Sequence, residues 1–166
     1  MPVPRSALAL FACLALAACA GDVIPVSSSY DPLERFPAQA TLAWDDAANV
    51  LPSDPAIDRA GTDAMFRELA EEGFAAHGYR VVPGGTPNYR LSYQYAIHTY
   101  IGADVSRAYG SLSLLLTDAA TGRRVWIGFG RAQIHVGLTL DERKARLRKA
   151  LAEMLEKFPP SQRSEG

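Results

Sequence analysis

Cysteine, histidine and net charge are all scarce in this sequence, and each scarcity removes a class of function. Two cysteines and three histidines occur in 166 residues, and 17 Lys and Arg stand against 18 Asp and Glu, a net charge of −1. Two cysteines cannot build a disulfide framework. Balanced charge offers no electrostatic footprint for nucleic acid, so no nucleic-acid partner is expected. His77 falls near an expected helix end, and His98 and His135 fall in separate expected strands. None has Cys or carboxylate at ligand spacing, so no metal site is expected. Gly84-Gly85 lacks the Lys and following helix of a phosphate loop, and Ser27-Ser28-Ser29 lacks a nucleophile elbow, so neither a cofactor nor hydrolase chemistry is expected. No apolar run reaches the ~20 residues of a membrane-spanning helix. Internal repeats and low-complexity tracts are also missing.

What is present begins with an address. Arg5 precedes an uncharged run from Ala7 to Ala18 built from Ala, Leu, Phe and Cys13. A short basic start followed by a short apolar core is the pattern of a removed secretory signal. The run ends in Leu16-Ala17-Ala18-Cys19, which resembles the lipobox of bacterial lipoproteins, where the cysteine is acylated and becomes the first mature residue. The resemblance implies a signal peptide over 1–18 and lipidation of Cys19. Cleavage there would also remove Cys13 and leave no thiol to pair. Several acyl chains on one cysteine anchor a protein without spanning the bilayer. Ala20 follows the anchor; in lipoproteins of enteric type an Asp there favours inner-membrane retention, so the resemblance implies the outer membrane facing the periplasm.

Removing residues 1–18 leaves enough chain for one ordinary domain and little room for a second. Residues 19–25 read as a tether, 26–160 as a single α+β domain and 161–166 as a disordered tail. From Cys19 to Val26 the chain can span at most ~25 Å, so the domain is expected close to the lipid surface.

Within the domain, extended segments are expected at Val26–Tyr30 and Gln39–Trp44, the first at an edge because of Pro25. Ser53 or Asp54 is placed to cap a helix with Pro55 in its first turn, and Gly78 is placed to end it. Ile57, Ala60, Ala64, Met65, Phe66, Leu69 and Phe74 form its apolar side. Tyr79–Val82 reads as a short strand. Tyr89, Leu91, Tyr93, Tyr95 and Ile97 alternate along the next one. Leu112, Leu114 and Leu116 alternate along a third, which turns at Asp118–Gly122 and returns over Arg123–Val136 as a long hairpin partner. Thr139 to Glu142 has the form of a capping box opening a final helix that Pro159-Pro160 stops.

Taken in order, these features resemble the bacterial lipoproteins of domain of unknown function 4136. The matching residues are Tyr30-Asp31, Phe36, Thr41–Trp44, Gly78-Tyr79, Asn88-Tyr89, Gly110–Leu112, Leu116–Asp118, Val125–Gly128 and Phe158–Pro160. Asn88 stands where members often have Asp. The resemblance implies a mostly antiparallel sheet of about five to six strands with two helices packed on one face, and it carries no activity with it.

Candidate contact residues are few. Trp44 and Trp126 lie in expected strands, where core packing competes with ligand stacking. Tyr100 and Ile101 open an apolar loop suited to a partner or to lipid. Arg143, Lys144, Arg146, Arg148 and Lys149 form a basic stretch, read as a solvated helix face. Asp45-Asp46 and Glu71-Glu72 are adjacent carboxylates whose side chains point apart, which suits no acid and base pair. The expectation is a non-enzymatic envelope lipoprotein, with no catalytic residue, that binds an envelope protein, glycan or lipid through its open sheet face, edge strand or apolar loop. One alternative is an enzyme acting on an envelope polymer through Asp118, His98 and His135. Another is an accessory subunit of a lipid transporter.

Overall fold

The computed structural model describes residues 24–55, 57–101, 106–135 and 137–158. The signal segment, Cys19, most of the tether, Pro159-Pro160 and the tail therefore lie outside the described residues. Six strands and two α-helices follow among the described residues, with a short 3-10 turn at Asp46–Ala48: β1 (Val26–Tyr30), β2 (Ala40–Trp44), α1 (Arg59–Ala76), β3 (Tyr79–Val81), β4 (Tyr89–Ile101), β5 (Ser106–Asp118), β6 (Arg124–Gln133) and α2 (Leu140–Glu156). The six strands form one sheet in the order β1-β6-β5-β4-β2-β3.

The fold is α+β, and the sheet is mixed where a mostly antiparallel one was expected. β4, β5, β6 and β1 pair antiparallel, while β2 lies parallel to both β3 and β4. The cause is α1, which sits between β2 and β3 in sequence. A crossover helix returns the chain to the end it started from, and that makes the next strand parallel. No helix separates β4, β5 and β6 in sequence, and these neighbours alternate in direction.

The first helix begins later than Ser53, Asp54 and Pro55 suggest. Its N-cap is Asp58, whose carboxylate accepts the Gly61 amide at 3.0 Å. That bond satisfies one of the free amides of the first turn, the role Ser53 or Asp54 was expected to fill. At the other end Gly78 adopts φ +83°, and a Cβ there would meet the Ala38 carbonyl oxygen at 2.5 Å. Only glycine can turn the chain into β3 at that approach. The capping box of α2 is formed as expected, Thr139 Oγ1 accepting from the Glu142 amide and the Glu142 carboxylate accepting from the Thr139 amide.

Both helices cover one face of the sheet. Leu91 and Tyr93 of β4, Leu112, Leu114 and Leu116 of β5, and Trp126 of β6 are buried against Phe66, Leu69 and Phe74 of α1 and Leu151, Met154 and Leu155 of α2. Phe158 closes the lower end, within 5.2–5.8 Å of the rings of Phe36, Trp126, Tyr79 and Phe74. Gly128 and Gly130 let α2 approach β6: a Cβ at Gly128 would lie 2.6 Å from the Trp126 ring, and one at Gly130 would lie 2.5 Å from Met154 Cε. The helices run parallel, because Lys144 pairs with Glu68 and Arg148 with Glu72, a four-residue step in the same sense on each. Their N-termini therefore share one end of the domain.

Candidate functional site

Two features stand out among the described side chains, a half-buried polar seam and an exposed strand end, and the four candidate contact residues separate between these and the core. Trp126 leaves the list of contact residues. It is 1% exposed, packed edge-on to Phe74 at 5.9 Å and to Phe158 at 5.3 Å, so it presents nothing to a partner. Its parity on β6 matches that of Gly128 and Gly130, which points all three at α2.

Trp44 ends β2 at the seam with α1. Its Nε1 donates to Glu71 at 2.7 Å, and the Arg67 guanidinium lies 4.8 Å from its ring centroid. Arg67 also donates to Asp63 at 2.8 Å and to Asp46 at 2.5 Å, and the Tyr93 hydroxyl donates to Asp63 at 2.5 Å. Partial burial opposes the charge on Asp63, but the Tyr93 and Arg67 hydrogen bonds and the Arg67 charge together hold its carboxyl below the usual range. Burial and the same Asp63 contact push the Tyr93 phenol up. Every polar group named here has its partner within the seam, so the arrangement locks α1 onto β2 and β4. The i, i+4 spacing of Asp63 and Arg67 was readable in the sequence; their meeting with Tyr93 and Trp44 needed the fold.

A second polar cluster stands at the lower end. The Tyr89 hydroxyl donates to Glu34 at 3.0 Å, and Arg123 pairs with Asp31 and Glu34. Burial, then the contact with Glu34, raises the Tyr89 phenol, and burial with the Glu34 charge pushes Tyr79 up to about 12. Asp118 turns the β5–β6 hairpin, its carboxylate accepting from the Thr121 amide and hydroxyl at 2.7 Å each. Those bonds hold its carboxyl below the ordinary value.

Asp118 and His98 lie at opposite ends of the sheet. Asp118 pairs with Tyr89, and β4 runs about 30 Å from Tyr89 to His98 at ~3.3 Å per residue. The combination of Asp118 with His98 in one catalytic centre is therefore ruled out, since acting groups must come within hydrogen-bond reach. His98 Nε2 lies 3.4 Å from Ser111 Oγ on the uncovered sheet face, and His77 Nδ1 lies 3.0 Å from the Gly73 carbonyl. Of the basic stretch, Lys144 and Arg148 are paired with α1, and Arg143 and Arg146 donate to the Leu138 and Gln133 carbonyls.

Tyr100 and Ile101 end β4, where the β4–β5 hairpin runs past the helices. Tyr100 is 53% exposed and Ile101 86%. Arg131 from β6 sits on the uncovered face behind them, donating to the Tyr100 hydroxyl at 2.8 Å with its guanidinium 4.7 Å from the Tyr109 ring centroid. Tyr100 and Tyr109 pack edge to face at 5.5 Å. Arg131, Tyr109 and the exposed Leu140 at the start of α2 were missed from the sequence, because only the strand register brings them to this end. Farther down the same face Phe129 is exposed, with Leu115 and Ile127 half-buried beside it.

Comparison with known proteins adds a family and a fold. A family model described as Domain of unknown function (DUF4136) matches residues 26–160. No curated protein matches the chain in sequence. Among solved structures, the PelC dodecamer from Paraburkholderia phytofirmans is 16% identical, with 86% of this chain and 100% of that chain covered and a TM-score of 0.53. A PDZ domain protein from Parabacteroides distasonis is 14% identical, with 83% of this chain and 36% of that chain covered and a TM-score of 0.55. Lipoprotein GNA1162 from Neisseria meningitidis is 16% identical, with 70% of this chain and 98% of that chain covered and a TM-score of 0.45. For the first two the likeness is one of fold.

Proposed function

The chain belongs to the family described as Domain of unknown function (DUF4136), and from that premise we propose that it is a lipid-anchored lipoprotein of the bacterial cell envelope, held by acyl chains on Cys19 and working as a non-enzymatic binding or assembly module. The observation that carries this reading is Leu16-Ala17-Ala18-Cys19, standing at the end of a short apolar run and seven residues before the family match begins at Val26. No helix among the described residues is long and apolar enough to cross a membrane, and an acyl anchor needs none. Ala20 favours the outer membrane, facing the periplasm, as the site of residence.

The module reading draws on how the polar groups are used. Asp58, Asp118 and Glu142 bind backbone amides, and Asp63, Glu71 and Glu34 bind side chains across element boundaries. Chemistry of that kind builds a rigid body that presents a surface. Partners of the surface are an envelope protein, a glycan or a lipid.

Intact mass and membrane fractionation of the wild type beside Cys19→Ala, both expressed in a bacterial host with the signal segment, test the anchor. The wild type is expected to begin at Cys19, to carry added acyl mass and to fractionate with the outer membrane. The variant is expected to lose both mass and membrane association. A Cys19→Ala protein that remained equally acylated and membrane-bound would overturn the reading.

A further inference from the structure

We propose that the upper end of the sheet, where β4 and β5 run past the helices, is a second membrane contact: Tyr100, Ile101 and Leu140 enter the headgroup region of the bilayer beside the acyl anchor. The inference rests on lipidation of Cys19 and adds to it an orientation and a set of residues.

Strand register carries the argument. β1 descends from the upper end, with Val26 opposite Gly130, and the ladder continues above it because the Arg131 amide donates to the Pro25 carbonyl at 3.2 Å. Ile24 therefore lies level with Ala132. Ala132 pairs with Gly110, and Gly110 pairs with Ile97. Ile101 is four residues beyond Ile97 on β4, about 13 Å higher and three strand spacings, about 14 Å, to the side. The tether from Cys19 to Ile24 reaches at most ~18 Å. With the sheet upright on the membrane, even a fully extended tether leaves Ile101 within about 5 Å of the lipid surface, and any slack closes that gap.

The residues at this end suit that surface. Ile101 and Leu140 are 86% and 60% exposed, more than a core or a packed loop would leave them. Tyr100 has an apolar ring and a hydroxyl held by Arg131, the amphipathic form that settles at a headgroup boundary. Arg107, directly opposite Tyr100, is exposed and cationic. The carboxylates of Asp58 and Glu142 at the two helix starts are engaged with backbone amides. At the far end of the sheet Leu33 is equally bare, 84% exposed, but it follows the end of β1, the end of that strand away from the tether.

Depth measurement on the acylated protein tests the proposal. Once Cys13 is removed and the Cys19 thiol is acylated, Ile101→Cys and Leu33→Cys each offer one thiol for an environment-sensitive fluorophore. Each labelled protein is reconstituted on phosphatidylethanolamine and phosphatidylglycerol vesicles, with and without a lipid-borne quencher. The label at 101 is expected to shift to the blue and lose at least half its intensity to the quencher, while the label at 33 keeps its aqueous spectrum. Equal, unquenched signals from both positions in protein that carries acyl mass and floats with the vesicles would overturn the membrane contact and leave the anchor standing. Quenching at 33 and not at 101 would overturn it by reversing the orientation. A label at 101 that is unquenched on vesicles but shielded in whole envelopes would place a protein partner there and overturn the lipid assignment. Protein that neither carries acyl mass nor floats overturns the anchor and this inference with it.

Discussion

The two halves of the β4–β5 hairpin share one continuous ladder and differ in what covers it. From Tyr89 to Tyr95 and from Leu112 to Asp118 the inward side chains meet both helices, and Leu91, Tyr93, Leu114 and Leu116 are at most 1% exposed. From Ile97 to Ile101 the same hydrogen-bonded pairing continues with less cover, Ile97 half-buried and Ile101 86% exposed. Backbone pairing alone thus does not make a core. The lower half is held by packing and by side-chain bonds to α1, and the upper half is free to use its apolar residues on something else.

That contrast breaks first at the bottom. Trp126→Ala removes a fully buried ring that touches Phe74 and Phe158, and it is expected to cost ~3–5 kcal/mol, read as a fall in the thermal or denaturant midpoint. An unchanged midpoint would mean that the lower half is not the seat of stability. Tyr93→Phe comes next. It keeps the ring against Phe66 and removes the bond to Asp63, with an expected loss of about 1 kcal/mol at neutral pH. Because Asp63 titrates below its ordinary 3.8 in the folded protein, its contribution is present above that value and is lost as pH falls through the folded value. The gap between wild type and Tyr93→Phe is therefore expected to narrow in acid, and a gap that widened there would contradict the assignment. Smallest of all, Ile101→Ser at the bare end is expected to move stability by no more than about 0.5 kcal/mol while weakening vesicle association. A large loss of stability would show that the arm is packed after all.

Much of this arrangement was legible before any coordinates. The alternation of Tyr89, Leu91, Tyr93 and Tyr95 against Arg90 and Gln94 set which face of β4 is buried. Thr139 and Glu142 marked the start of α2, and Pro25 marked an edge strand. The antiparallel part of the sheet matches the expectation, and the parallel placement of β2 was not legible because strand patterns carry no sign: an alternating run looks the same parallel or antiparallel, and the crossover through α1 decides. The start of α1 lies at Asp58 and not at Ser53 or Asp54, because all three are acceptors of the capping type and local sequence does not rank them.

Register shows the same limit most sharply. Near the turn Thr117 pairs with Arg124, but one step away Leu116 pairs with Trp126, leaving Val125 as the extra residue of a bulge. Without that bulge the count from the turn would set Arg131 opposite Gly110 in place of Ser111, and every side chain of β6 would move to the other face. Trp126, Gly128 and Gly130 would then face solvent, and Arg131 could not reach Tyr100 and Tyr109.

By itself the sequence determined most of the elements and their buried faces, because those depend on local composition and on periods of two and 3.6 residues. Only the tertiary structure decided that Trp126 is core, that Trp44 is tied to Glu71 and Arg67, and that Arg131, Tyr109 and Tyr100 meet beside an exposed Ile101 at the end of the sheet where β1 begins. Those facts depend on which strand lies next to which, and on a one-residue shift between two of them. Pairings so distant along the chain leave no local trace in composition or periodicity.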